Sequence, residues 1–164
     1  MGFKIGDIDV SKIYLGDTEV TKAYLEGVEI ILGESSPTNY IANGTFDNDD
    51  NLELDASYAV TGGVVAYTHS GAASCYFDLT ETIEGGVNCT FTITFLNGIG
   101  DNRFRIYASH GGSNTEVKQN TTYANGTHDV SITTPVGEIT DRIRILTSPA
   151  ANDFEFDNVS LTKD

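Results

Sequence analysis

Cys89-Thr90-Phe91-Thr92-Ile93-Thr94-Phe95 alternates without a break between an apolar or sulfur side chain and threonine. Successive side chains of a strand leave on opposite faces. This stretch therefore buries Cys89, Phe91, Ile93 and Phe95 on one side and turns its threonines to the other. β-Branched threonine also suits an extended backbone.

The same period of two recurs on both sides. Cys75 shares a parity with Phe77 and Leu79, Phe104 with Ile106, and Ile143 with Ile145. No window places apolar residues at i, i+3, i+4 and i+7, as an amphipathic helix requires. Strands are expected near 39–42, 57–60, 64–68, 74–80, 87–96, 103–108, 115–118, 127–133, 141–146 and 154–162. Turn signals separate them, among them Asn48-Asp49-Asp50-Asn51, Gly62-Gly63, Gly85-Gly86, Gly111-Gly112 and Asn125-Gly126. Short, evenly spaced strands of this kind define an all-β class, an antiparallel β-sandwich or jelly roll over 39–164.

The first 32 residues follow another rule. Ile5-Gly6-Asp7-Ile8-Asp9-Val10, Leu15-Gly16-Asp17-Thr18-Glu19-Val20 and Leu25-Glu26-Gly27-Val28-Glu29-Ile30 repeat at a period of ten. A repeat this regular signals an array of one supersecondary unit. The Gly-containing pairs read as two-residue turns, which makes 1–32 a short β-meander with strands near 8–15, 18–25 and 28–32. Its apolar parity switches within the longer strands, and a β-bulge near Val10-Ser11 or Val20-Thr21 accounts for that. So thin a sheet needs a neighbour to be stable. Lys12, Tyr14, Lys22 and Tyr24 are its candidate attachment or oligomerisation residues, or else a packing strip against the rest of the chain. Gly33 to Thr38 reads as a linker by composition.

Bulk properties narrow the functional classes. The chain has 164 residues and a formal net charge of −15. That charge argues against a nucleic-acid partner, which needs clustered cations. No apolar run is long enough for a transmembrane helix, and the N-terminus lacks the apolar core of a secretory signal, so no membrane association is expected. The two cysteines, Cys75 and Cys89, read as small core hydrophobes, with a disulfide as the alternative. His69, His110 and His128 are isolated in sequence, and no nucleophile elbow, phosphate loop or zinc-ligand spacing occurs. The expectation is a non-enzymatic protein.

Two groups of side chains stand out as ligand candidates. All four arginines fall in Arg103-Phe104-Arg105-Ile106-Tyr107 and Arg142-Ile143-Arg144-Ile145. With Phe104, Ile106, Ile143 and Ile145 inward, Arg103, Arg105, Tyr107, Arg142 and Arg144 share the open side. Guanidinium forks suit anionic sugars or carboxylates. The alternative is cross-strand pairing with Glu155, Glu116 or Asp129. Tyr58, Tyr67, His69, His110 and Tyr123 form a second group, candidates for exposed stacking rings, with ordinary surface or core placement as the alternative.

Asn39-Tyr40-Ile41-Ala42-Asn43-Gly44-Thr45-Phe46-Asp47 resembles the first strand of galactose-binding-like jelly rolls, in particular carbohydrate-binding modules of the family 4/9 type. Phe154-Glu155-Phe156-Asp157-Asn158-Val159-Ser160-Leu161 resembles their closing strand. The resemblance implies glycan binding without catalysis. Such modules stack sugars on Trp; this chain has none, which leaves Tyr and His for that role. The resemblance also implies a structural Ca²⁺ held by Asp47, Asp157 and the carbonyl of Gly44. A hard cation prefers such oxygens. Asp157 is expected to point inward or toward a rim, with capping of backbone N–H groups as the alternative to a metal. The repeats of 1–32 are similar to N-terminal segments of tailed-bacteriophage virion proteins: head fibres, decoration proteins and tail appendages. That likeness implies a virion accessory protein, assembled in the host cytoplasm. It would dock on capsid, collar or tail proteins as a homo-oligomer, a trimer by analogy, and display the jelly roll to cell-surface glycans. A purely structural decoration or collar component, and a stand-alone bacterial carbohydrate-binding module, are the alternatives.

Overall fold

The computed structural model describes residues 38–98 and 102–164, together with the backbone of six short strands between Phe3 and Ile31. The chain divides into two compact units, residues 1–38 and 39–164.

In the first unit β1 (Phe3–Ile5) pairs with β2 (Ile8–Val10), β3 (Tyr14–Leu15) with β4 (Thr18–Glu19), and β5 (Lys22–Leu25) with β6 (Val28–Ile31), all antiparallel. The pairs close at Ile5↔Ile8, Leu15↔Thr18 and Leu25↔Val28. Each pair thus spans one of the Gly-containing dipeptides of the repeat. The strands expected over 8–15 and 18–25 occur as shorter pieces. The bulges expected at Val10-Ser11 and Val20-Thr21 involve positions outside the described residues, as does most of the linker.

The second unit is the sandwich. Its strands are β7 (Leu52–Leu54), β8 (Tyr58–Thr61), β9 (Val64–Tyr67), β10 (Ser74–Glu84), β11 (Asn88–Gly98), β12 (Asn102–His110), β13 (Ser113–Tyr123), β14 (Gly126–Thr133), β15 (Ile139–Thr147) and β16 (Phe154–Lys163). One antiparallel sheet has the order β13-β12-β15-β10-β7 and the other β14-β11-β16-β9-β8. The alternation that opened the sequence reading is β11: Cys89, Phe91, Ile93 and Phe95 are at most 1 % exposed. Cys75 and Cys89 are free thiols in opposite sheets.

Phe156 sits at the centre of the core. Its ring lies 5.7 Å from Phe46, 6.2 Å from Phe77 and Phe154, and 6.4 Å from Tyr58 and Phe95. It therefore ties both sheets and the segment leading into the sandwich to one cluster. Aromatic pairs at these separations add to the stabilisation from area burial.

The segment 39–42 is less a strand than a clasp. It forms a single bridge, Ile41↔Leu79. Tyr40 N–H donates to Leu161 O (2.8 Å), while Thr80 N–H donates to Tyr40 O (2.8 Å), so one residue joins both sheets. Asn39 Oδ1 accepts from the N–H groups of Ile41 and Leu161, both at 3.0 Å. Further on, Val159 N–H donates to Gly44 O at 2.9 Å. A Cβ at position 44 would stand 1.9 Å from Val159 O, so only glycine permits this approach.

Replacing Phe156 by Ala removes the ring shared by five others. The expected loss is about 3–5 kcal/mol of unfolding free energy, measured by denaturant titration with an unchanged m-value. A loss below about 1 kcal/mol would contradict this packing role.

Candidate functional site: a charged aromatic row across one sheet

The outer side of the β13-β12-β15-β10-β7 sheet carries the site. Alternation along β12 and β15 sends Phe104, Ile106, Ile143 and Ile145 inward, each at most 1 % exposed. The intervening Arg103, Arg105, Tyr107, Arg142 and Arg144 must then face out. β12 and β15 are direct neighbours, with Tyr107↔Arg144 and Arg105↔Leu146 in register.

Register extends that pair into a row of one residue per strand: Glu53 on β7, Tyr76 on β10, Arg144 on β15, Tyr107 on β12 and Glu116 on β13. The order is acid, ring, cation, ring, acid. At the usual strand spacing it spans roughly 19 Å. The Arg144 guanidinium carbon lies 5.4 Å from the Tyr76 ring centre and 5.2 Å from that of Tyr107. Contacts of this type contribute about 0.5–1 kcal/mol each where solvent reaches them. Arg144 Nε and Nη2 both donate to Ser74 Oγ, at 3.0 and 2.7 Å.

The neighbouring row brings in Arg142. Its Nε donates to Asp78 Oδ1 (2.6 Å) and its Nη1 to Glu53 Oε2 (2.7 Å). Hydrogen bonding to Asp78, and secondarily to Glu53, raises the Arg142 pKa above its ordinary value. Arg142 also meets the Tyr76 ring at 5.4 Å. Arg105 pairs with Glu116 at 3.4 Å, and Tyr107 OH donates to the same carboxylate oxygen at 3.2 Å. Arg103 Nε donates to Thr122 Oγ1 at 3.1 Å. These charges are partly open to water, so the pairs fix orientation more than they stabilise the fold. Beside them, His110 Nδ1 lies 2.8 Å from Asp141 Oδ2. A hollow of about 400 Å³ runs between Glu53, Tyr76, His110, Asp141 and Arg142.

Of the three alternative partners read from sequence, only Glu116 meets an arginine among the contacts just described. Glu155 accepts from Asn97 Nδ2 (2.7 Å) and Asp129 from Thr92 Oγ1 (2.7 Å), both within the other sheet. Tyr76, Glu53 and Asp78 were not singled out from the sequence. The parity of Cys75 and Phe77 does point Tyr76 and Asp78 outward. Leu52-Glu53-Leu54 is too short a pattern to read.

Three of the candidate stacking rings take the alternative, core placement. Tyr67 is 1 %, Tyr58 6 % and Tyr123 9 % exposed. Each joins the core: Tyr67 lies 5.0 Å from Phe154, Tyr58 5.1 Å from Tyr67, and Tyr123 stacks on Phe104 at 4.9 Å. Their hydroxyls find partners, Tyr67 on Gly71 O (2.6 Å) and Tyr58 on the Thr147 hydroxyl. His69 is exposed beyond β9, in the other sheet, and its backbone N–H donates to Asp153 Oδ1 (2.6 Å). Tyr67 and His69 are therefore not part of the arginine face.

Each of the residues implied for calcium has a partner within the protein. Gly44 O accepts from Val159 N–H. Asp47 Oδ2 accepts from Thr45 Oγ1 (3.3 Å). Both oxygens of Asp157 are engaged by its neighbour Asn158, by the backbone N–H at 2.6 Å and the side-chain amide at 2.8 Å. Phe154 and Phe156 are buried; Asp157, one position on, faces outward. Then the ladder slips. Thr92↔Ser160 and Thr94↔Asp157 leave an extra residue on β16, with Asn158 at φ 50°. This bulge returns Val159 and Leu161 to the core. No group of three or more His, Cys, Asp or Glu able to hold a metal occurs among the described residues.

For the attachment candidates, Lys12 lies outside the described residues. Tyr14, Lys22 and Tyr24 are placed by backbone register alone, opposite Glu19, Ile31 and Glu29. Among the described residues, no helix is long and apolar enough to cross a membrane.

No protein-family model and no curated protein matches the sequence. Solved structures do match its fold. A tyrosine-to-alanine mutant of a family 29 carbohydrate-binding module is 12 % identical, covers 78 % of this chain and 91 % of its own, and superposes with a TM-score of 0.55. The family 29 module itself is 11 % identical, with 78 % and 88 % covered and a TM-score of 0.55. An aspartate-to-alanine mutant complexed with mannohexaose is 10 % identical, with 78 % and 91 % covered and again 0.55. At these identities the likeness establishes the β-sandwich.

With Asp157 and Gly44 O satisfied within the protein, added Ca²⁺ or a chelator is expected to leave the thermal midpoint unchanged. A saturable rise in midpoint with Ca²⁺, lost on Asp157→Asn, would restore the metal site.

Proposed function

We propose that the sandwich is a non-catalytic carbohydrate-binding module and that its ligand lies on the Glu53–Tyr76–Arg144–Tyr107–Glu116 face. The observation that carries this is the row itself. Rings, forked donors and carboxylate acceptors stand in line across five strands, pre-ordered by one another. Sugars offer hydroxyls that both donate and accept, and C–H faces that pack on rings. A row that mixes donors, acceptors and aromatics matches that chemistry, and rigid pre-ordering lowers the cost of binding. The solved neighbours support the reading, since they are carbohydrate-binding modules and one is complexed with mannohexaose.

Nothing in the row is built for bond cleavage. Glu53 and Glu116 stand at opposite ends, and each is held by an arginine, whereas glycoside hydrolysis needs a closely placed carboxylate pair with distinct roles. Cys75 is no nucleophile either, because burial pushes its thiol well above the ordinary range.

We further propose that the repeats of 1–32 attach the module to a larger assembly, a phage virion, with display at high copy number. Three hairpins at a fixed period in sequence support that reading. Linked copies make weak single sites effective, because a second contact forms at raised effective concentration.

Tyr107→Ala in the multimeric protein is expected to reduce retention on a glycan array by tenfold or more, about 1.4 kcal/mol. Thr92→Ala, on the opposite sheet, is expected to leave it unchanged. Equal retention of wild type and Tyr107→Ala would refute the face. Removal of residues 1–32 is expected to abolish incorporation into particles while the sandwich stays folded by circular dichroism. Full incorporation of the truncated chain would refute the attachment role.

A further inference from the structure

We infer that the ligand of this face carries carboxylates, as a uronate-containing glycan does, and that Arg144 receives them. The inference rests on the face proposed above and adds the charge class of its ligand.

Charge is segregated in this molecule. The formal net charge is −15, yet all four arginines lie on one side of one sheet. Arg142 and Arg105 are compensated in place. Arg142 holds Asp78 and Glu53, and Arg105 holds Glu116. Arg144 differs. It stands at the middle of the row, and among the described residues no carboxylate lies within ion-pair distance of it.

The geometry of Arg144 shows which edge is available. A guanidinium presents N–H groups from Nε, Nη1 and Nη2 in a planar fork. Ser74 Oγ takes the Nε/Nη2 edge. The Nη1/Nη2 edge, which can pair with the two oxygens of a carboxylate as the Nε edge can, meets no protein acceptor among the described residues. Tyr76 and Tyr107 flank the guanidinium at 5.4 and 5.2 Å and restrict its rotation. A fork immobilised in this way loses little freedom when an anion docks.

The same contacts argue against plain ring stacking. Tyr76 meets two guanidinium groups, those of Arg142 and Arg144. A sugar that packs on this ring therefore meets two cations beside it, which favours an anionic sugar over an uncharged one. The acidic neighbours do not bar an anion. Glu53 and Asp78 are engaged by Arg142, and Glu116 by Arg105 and Tyr107. A cation left without a counter-charge at the centre of a face is the site where an incoming carboxylate gains most, because charge-assisted paired hydrogen bonds are the strong ones.

The test uses the full-length protein and matched probes in affinity electrophoresis and calorimetry. Oligogalacturonate and oligomannuronate are each compared with their carboxyl-reduced counterparts, beside neutral manno- and cello-oligosaccharides. Preference for a uronate over its reduced form is expected, and it should weaken as ionic strength rises. Arg144→Gln should abolish the preference, and Arg144→Lys should lower uronate affinity about tenfold, since a lysine ammonium cannot form the paired contact. The salt titration on wild type needs no variant, so a misfolded Arg144 mutant would not obscure the result. Equal or better binding of reduced and neutral oligosaccharides, still lost on Tyr107→Ala, overturns this inference while keeping the face. Absence of binding to every probe, or binding that Tyr107→Ala leaves intact, overturns both.

Discussion

Alternation along β12 and β15 is the constraint on which both halves of this molecule depend. The core needs Phe104, Ile106, Ile143 and Ile145 inward. Because a strand has a period of two, the same backbone must then present Arg103, Arg105, Tyr107, Arg142 and Arg144 outward. A slip of one residue in either strand would bury guanidinium groups and expose isoleucines. Fold and site are therefore specified by one register, and burial of the isoleucines holds the arginine row in line.

Several irregularities lie around that register. The β16 bulge at Asp157-Asn158 shifts parity once, so that Phe154 and Phe156 and then Val159 and Leu161 all reach the core. Gly44 fits against Val159 only because it lacks a side chain. β10 departs from β15 between Asp78 and Ile83, and the clasp at Tyr40 pairs with the departing stretch. These features join the two sheets at one end. On the arginine face β12 and β15 pair without a break, whereas β13 shifts register against β12 on either side of Ile106.

Much of this was legible in the sequence, and the failures share a cause. Strand positions, the inward set and the outward arginines all follow from local alternation, and nearly every strand of the sandwich was placed. Periodicity does not give sheet order. That is why Arg142 could not be matched with Asp78 and Glu53, which are distant in sequence, and why Glu155 and Asp129 were considered instead. The polar edge strand β13 was read at less than half its length because Val117 is its one aliphatic side chain and the run of polar residues between it and Tyr123 hides the alternation. Tyr67 was misread as exposed although Val65 shares its parity; there the signal was present. Asp157 was expected to point inward or toward a rim, although alternation from Phe154 and Phe156 already turns it out; what composition leaves unmarked is the bulge that returns Val159 and Leu161 to the core. The resemblance to carbohydrate-binding modules anticipated the sandwich.

Two surfaces compete for the ligand. A groove of about 780 Å³ on the other sheet is lined by Thr92, Thr94, Thr127, Asn158, Asn43 and Asp47 among others. It is the larger hollow, but it offers hydroxyls, amides and one carboxylate without a ring or a cation, and several of its hydroxyls already bond one another or Asp129. The most direct test is an amide chemical-shift titration of ¹⁵N-labelled protein with a bound oligosaccharide. The account requires the largest shifts at Tyr76, Tyr107, Arg142 and Arg144; shifts gathered instead at Thr92, Thr94 and Thr127 would contradict it.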